Sequence, residues 1–282
     1  MQLHKFDPDP RLSRAIESFL VQEDFSPANF ANRNPVTVLP TSMVVIGIQY
    51  GMPMQRVEQG IAVGLGRSGI TGLQRSPREY ISTGRIGTII VRFRPGGVSS
   101  FTAYPVREFL DSNVELDLVF PRQLVADMHD RLAYATNASE RVAIVQRFLL
   151  SVRRETDEDR QLLDIAGRMS DQAGSVSIER YAAEAYLCKR TLERKFNAII
   201  GASPKTFASI ARFQRTIRLR NAGYGYLDIA EACGYTDHAH YANDFKRFAG
   251  CSPESFFASQ RQPELSESFN SDSDGIGQNM YR

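Results

Sequence analysis

Gly234-Tyr-Thr-Asp-His-Ala-His-Tyr-Ala-Asn-Asp-Phe-Lys-Arg-Phe-Ala-Gly-Cys-Ser-Pro253 is the stretch that decides how the rest of this 282-residue chain is read. Gly234 permits a sharp turn after Asp228–Cys233. Asp237 is a good N-cap for the helix that follows. Along that helix Tyr241, Phe245 and Phe248 recur at helical spacing, so one face is apolar. The other face offers His238, Ala239, Ala242, Asn243 and Lys246, all small or hydrogen-bonding. Gly250 can close the helix in a left-handed cap. Ser252-Pro253 then opens another helix, with Ser as cap and Pro at its first position. A short helix with an apolar back and a small, polar front, delivered by a tight turn, is what reading a DNA major groove requires.

An earlier segment repeats this design. Phe196-Asn-Ala-Ile-Ile-Gly201-Ala-Ser203-Pro204 matches Phe245-Lys-Arg-Phe-Ala-Gly250-Cys-Ser252-Pro253 without gaps, and the same shift sets Leu192 on Tyr241 and Cys188 on Asp237. Two copies of one helix-turn-helix are expected. Ser177 can cap a helix over Ile178–Tyr186, and Thr191, Leu192, Lys195 and Phe196 belong to the next. Between the copies, Phe207, Ile210, Phe213 and Ile217 predict a continuous helix over Pro204–Arg220. Its rise, roughly 25 Å at 1.5 Å per residue, is of the scale needed to set two helices in successive major grooves, about 34 Å apart.

The formal net charge is only +2, so the whole-chain balance does not by itself indicate nucleic acid. Its distribution does. Lys189, Arg190, Arg194, Lys195, Lys205, Arg212, Arg215, Arg218 and Arg220 crowd one stretch in which only Glu193 is acidic. Alone such a run reads as a solvated surface; beside a helix-turn-helix it reads as phosphate contact. Cys188, Cys233 and Cys251 are widely spaced and odd in number, which suggests neither a disulfide framework nor a zinc site. The N-terminus lacks an apolar signal region and no apolar run is long enough to cross a bilayer, so a cytoplasmic location is expected.

Upstream, residues from about 35 to 95 read as strands: Val36–Leu39, Met43–Tyr50 and Ile86–Phe93 are β-branched and aromatic-rich, bounded by Pro and Gly. Gly60, Gly64, Gly66, Gly69 and Gly72 divide the interval into short strands and turns, as in a small barrel or sandwich. Gly64-x-Gly66 lacks the remainder of a phosphate-loop fingerprint. After Gly97 the pattern turns helical, with one stripe in Pro121–Ala135 and another through Val142, Val145, Phe148, Leu149 and Val152. Arg153–Arg160 is densely charged and reads as a boundary; Leu162, Leu163, Ile165, Ala166 and Met169 then open an all-helical region. The Ser-, Asp- and Gly-rich end reads as a disordered tail. The expected fold class is α+β. Residues 1–153 would form a small β-barrel or sandwich with trailing helices, 157–262 an all-α domain of two helix-turn-helix units joined by a long helix, and 263–282 the tail.

This arrangement resembles the AraC/XylS-type family of bacterial transcription regulators. The similarity covers about residues 157–258. It is carried by Gly234-Tyr-x-Asp-x-x-His240-Tyr241-x-x-x-Phe245-Lys-Arg-Phe248-x-Gly250-x-Ser-Pro253, by Ser177-Ile-Glu-x-x-Ala182 and by Arg190-Thr-Leu-Glu-Arg-x-Phe196. Leu39-Pro, Tyr50-Gly51 and Arg92-Phe-Arg-Pro-Gly-Gly97 extend a weaker match to the family's sensor domains. The resemblance implies that Arg190, Glu193 and Arg194 face outward on the first recognition helix and His238, Ala239 and Asn243 on the second. Arginine can bond guanine bidentately, asparagine adenine, and glutamate a cytosine amino group. Lys195 and Lys246 are better placed for phosphates. The sequence departs from the family where Tyr186 and Cys188 stand in place of the usual turn Gly and cap Ser. Asn243 also stands where relatives often carry Arg.

The reading that follows is a sequence-specific regulator that binds double-stranded DNA, with no catalytic residues, cofactor, metal or membrane partner. The N-terminal region would bind a small effector or hold a homodimer together; contact with RNA polymerase is what the resemblance implies. One rival keeps DNA binding and reduces the N-terminal region to an oligomerisation platform. Another, an enzyme in the β-barrel, lacks clustered imidazoles there, since His4 and His129 lie outside the strands. His238 and His240 point about 200° apart on a helix and cannot share one ion.

Overall fold

The computed structural model describes residues 2–25, 35–154, 159–172 and 177–258. The expected tail and the middle of the Arg153–Arg160 boundary lie outside the described residues. The architecture is α+β: two antiparallel sheets followed by a helical region.

Strands β1 (Gln2–Phe6), β2 (Ile16–Asp24), β4 (Val45–Gln49), β7 (Ser68–Thr71), β9 (Ile86–Phe93) and β10 (Asn113–Glu115) form a six-stranded sheet in the order β1-β2-β9-β4-β7-β10. Strands β3 (Val36–Val38), β5 (Met54–Glu58), β6 (Ile61–Gly64) and β8 (Arg78–Ser82) form a second, in the order β3-β8-β5-β6. Strand structure therefore begins well before residue 35. β2, the long partner of β9, was not expected from sequence. Its Glu17, Ser18, Gln22 and Glu23 dilute the apolar pattern of Ile16–Asp24. Pairing with the wholly buried β9, far away in sequence, is what makes it a strand.

The six-stranded sheet has two unlike faces, as the two-residue strand period allows. Phe19, Val21, Ile46, Ile48, Ile89 and Val91 join the apolar core, together with α2 (Arg122–Tyr134) and α3 (Ala138–Val152). Ser18, Gln22, Thr88 and Arg92 occupy the alternate positions and are buried too. A short helix α1 (Leu116–Val119) links β10 to α2.

The helical region runs α4 (Arg160–Gln172), α5 (Ile178–Glu184), α6 (Lys189–Ile200), α7 (Pro204–Asn221), α8 (Tyr226–Ala232), α9 (His238–Ala249) and α10 (Pro253–Ala258). Helix α7 begins as its sequence dictates, with the Ser203 hydroxyl accepting from Thr206 N and Pro204 in the first turn. It serves both units: Phe207 meets Phe196 of α6 edge-on at 5.7 Å, and Phe213 meets Phe245 of α9 at 5.2 Å. The sheets and the helices share a continuous apolar core. The 3-10 turns Gly97–Ser100 and Val106–Phe109 pack against α6. A Cβ on Gly201, at the left-handed end of α6, would come within 2.9 Å of the Val106 side chain. Gln214 of α7 donates a hydrogen bond to the Pro40 carbonyl, and the Ser42 and Ser170 hydroxyls lie 3.4 Å apart.

Candidate nucleic-acid interface

The second unit is built as its residues require. Helix α8 ends at Cys233, and Gly234 takes φ 68°, a left-handed conformation that costs a side chain little only when there is none. Asp237 then caps α9, its Oδ1 accepting from His240 N at 2.7 Å. Tyr241, Phe245 and Phe248 are buried, and Gly250 closes the helix at φ 80°. Ala239, Asn243 and Lys246, spaced by four and three residues along one stripe, are exposed.

Inside the same helix sits a residue that the sequence did not single out. Asp244 is buried and accepts from three donors. Arg212 Nη2 of α7 lies 2.9 Å from its Oδ2, the Tyr235 hydroxyl 3.0 Å from the same oxygen, and Arg247 Nη2 2.7 Å from Oδ1. The Arg212 guanidinium also lies over the Tyr235 ring, 4.3 Å from its centroid. Burial and the Asp244 charge push the Tyr235 phenol well above its ordinary range, so it stays a donor. This network fixes α9 to α7. Only the proximity of Tyr235, Asp244 and Arg247 was visible locally; Arg212 is distant in sequence.

The first unit follows the same plan with different parts. Tyr186 holds the position of Gly234 at φ 54°, its side chain projecting almost entirely into solvent. The helix expected to reach Tyr186 stops at Glu184, because a left-handed residue cannot continue it. Leu187 alone separates Tyr186 from the cap Cys188, whereas Tyr235 and Thr236 separate Gly234 from Asp237, so the first turn is one residue shorter. Cys188 makes no side-chain hydrogen bond to the backbone of α6. Its Sγ lies 3.1 Å from Thr191 Oγ1, a contact that holds the thiol below its ordinary pKa. Arg190 and Arg194 are exposed one helical turn apart, with Glu193 half-buried beside them. Among the described residues neither arginine makes an ion pair.

Several residues of the basic run have structural partners. Lys195 Nζ lies 2.9 Å from Asp159, just before α4, and Lys189 2.7 Å from Glu179. Lys195 occupies in α6 the place of Asp244 in α9: both tie a recognition helix to the start or body of the helix beneath it, with the charges exchanged. Arg220 lies over the Tyr226 ring at 4.5 Å. His238, expected to face outward, is half-buried, its Nε2 3.5 Å from Glu254 of α10 and its ring beside Tyr226 and Tyr241. The chain folds back at Pro253 and sets Glu254 against it. His240 lies near the turn, its Nδ1 3.4 Å from Thr236 N. Among the described residues no group of three or more His, Cys, Asp or Glu could hold a metal ion, and no helix is long and apolar enough to cross a membrane.

A family described as "Helix-turn-helix domain" matches residues 181–259, from within α5 to the end of α10. The C-terminal region is an AraC-type helix-turn-helix domain. The chain therefore carries a DNA-binding domain of the kind found in AraC-type transcription regulators. Residues 4–115 match a "Domain of unknown function (DUF6597)", a span that takes in both sheets. No curated protein matches the chain. Among solved structures it is similar to fatty-acid-bound ToxT from Vibrio cholerae, at 13% identity over 86% of this chain and 95% of that one, with a TM-score of 0.45. An apo ToxT variant from the same organism gives 12% identity, 90% and 99% coverage and a TM-score of 0.44. The DNA-binding domain of AdpA, in complex with a target DNA, gives 26% identity over 37% of this chain and 95% of that one, with a TM-score of 0.34.

Proposed function

We propose that this regulator reads its operator with both units, α6 and α9 entering successive major grooves on one side of the duplex. The observation that carries this reading is the pair of exposed stripes, Arg190 and Arg194 on α6 and Ala239, Asn243 and Lys246 on α9, presented by helices that both pack on α7. In this account Arg190 and Arg194 bond guanine edges and Glu193 a cytosine amino group. Asn243 reads adenine, Ala239 lets the backbone approach a thymine methyl, and His238 contributes when it turns from Glu254. Lys246 contacts a phosphate; Lys195 does so only when its pair with Asp159 opens. The DNA-binding unit spans 157–262. Residues 1–153 hold a homodimer together and take a small effector that shifts the placement of the DNA-binding units. The protein works in the cytoplasm and contacts RNA polymerase at its promoters.

Selection of bound sites from random DNA, followed by footprinting, tests this. Two short conserved blocks about 10 base pairs apart on one helical face are expected. A single block, protected in one groove only, contradicts the two-helix account.

A further inference from the structure

Tyr186 takes φ 54° in the turn between α5 and α6, a left-handed conformation that is costly for a bulky side chain. Among the described residues Gln59 and Asp111 are the other non-glycine residues at positive φ, and both have local reasons. Gln59 precedes Gly60 in the two-residue hairpin between β5 and β6, and the Asp111 carboxylate accepts from Arg75 N and Nε. Nothing comparable compensates Tyr186. Its side chain is 95% exposed, and among the described residues its hydroxyl makes no hydrogen bond. The turn does not require it either. Tyr186 N donates to the Ala183 carbonyl and Leu187 N to the Ala182 carbonyl, while in the second unit Gly234 N and Tyr235 N donate to the Glu231 and Ala230 carbonyls in the same pattern. There a glycine closes the turn, at φ 68°. Strain without local support gathers at sites that hold a ligand.

The two ends of α6 indicate which ligand. The C-terminal end is covered: Ile200 and Ala202 are buried, and Gly201 abuts Val106 of the second 3-10 turn. The N-terminal end is open, with Cys188, Lys189 and Arg190 exposed. Only that end is free to enter a groove, and it is the end whose residues meet base edges in helix-turn-helix docking. A helix with its side chains is about 10–12 Å across, and the major groove is about 12 Å wide, so α6 fills it from wall to wall. A side chain that leaves the turn ahead of the helix therefore meets the wall, which is deoxyribose and phosphate. A phenol suits that surface: its ring lies along the sugar and its hydroxyl donates to a phosphate oxygen.

We infer that Tyr186 is a positioning residue for DNA binding. Its hydroxyl donates to one backbone phosphate at the edge of the groove that α6 enters, and so fixes the depth and register at which Arg190 and Arg194 reach the bases. This role rests on the reading above that α6 occupies a major groove. The contact is neutral, unlike that of a lysine, so it adds affinity without releasing a counterion. The residue that strains the free protein is thus the one that steadies the complex.

The test uses the full chain and a selected operator. Tyr186→Phe keeps the strained turn and the ring and removes only the hydroxyl. It weakens binding about tenfold, on the operator and on its single-base variants alike, and leaves the slope of log affinity against log salt unchanged. Tyr186→Gly weakens binding at least as much while raising the thermal midpoint by about 2–4 °C, a pairing that a purely structural residue does not give. Replacing phosphates one at a time by neutral methylphosphonates locates the contact: at one position the replacement weakens the unsubstituted protein about tenfold and leaves Tyr186→Phe indifferent. Full affinity in both variants, a midpoint that falls in Tyr186→Gly, or no phosphate at which the hydroxyl matters overturns the assignment. Arg190→Ala, measured alongside, keeps the two levels apart. A loss with Arg190→Ala and none with Tyr186→Phe removes only the phosphate contact; no loss with either removes α6 from the groove.

Discussion

The two helix-turn-helix units share a frame and differ in what holds it. In the second, a glycine takes the left-handed turn, an aspartate caps the recognition helix, and the buried Asp244 gathers Arg212, Tyr235 and Arg247. In the first, a tyrosine takes the turn, the cap is a cysteine without a backbone bond, and the corresponding anchor is a part-exposed Lys195–Asp159 pair. The first unit instead presents two exposed arginines where the second presents Ala239 and Asn243. The difference teaches that sequence likeness between the copies extends to packing and helix ends but not to the means of fixing the helix. One unit is specialised for a secure frame, the other for charge.

That contrast can be broken by substitution. Asp244→Ala leaves Arg212 partly buried beside an uncompensated neighbour and should cost about 3 kcal/mol in urea unfolding. Lys195→Ala, at the matching place, should cost less than about 1 kcal/mol. Equal losses would show that the two anchors are equivalent. Gly234→Ala forces a side chain into the left-handed turn and should cost about 1–2 kcal/mol. Tyr186→Gly should do the reverse, stabilising by about 1 kcal/mol; a loss there would mean that the tyrosine side chain contributes to the fold. Cys188→Ser supplies the missing cap and should add about 0.5 kcal/mol, read as a small rise in the thermal midpoint, while leaving operator affinity unchanged.

Much of the second unit was legible because its determinants are local. Gly234, Asp237, the apolar spacing and Gly250 lie within one stretch, and each appears in the structure in the role its chemistry suggests. The long helix over Pro204–Arg220 was legible for the same reason and extends one residue further, to Asn221. What was hidden depends on partners distant in sequence. β2 becomes a strand through β9. Lys195 carries the same charge whether paired or free, so Asp159 could not be foreseen. His238 looked outward until α10 set Glu254 against it. The polar face of the six-stranded sheet had left one trace: Thr88, Ile90 and Arg92 alternate with Ile89, Val91 and Phe93, so an apparently continuous apolar strand had one mixed side. The contacts from Pro40 and Val106 to the helical region left none.

The account's central claim is that each unit reads its own part of one operator. Its most direct test is to titrate Arg190→Ala and Asn243→Ala against a full set of single-base operator variants. The account predicts that each substitution weakens specific binding by about 1–3 kcal/mol and relaxes preference at one position, the two positions lying about 10 base pairs apart. Unchanged affinity in both variants, or relaxed preference at one shared position, would contradict it.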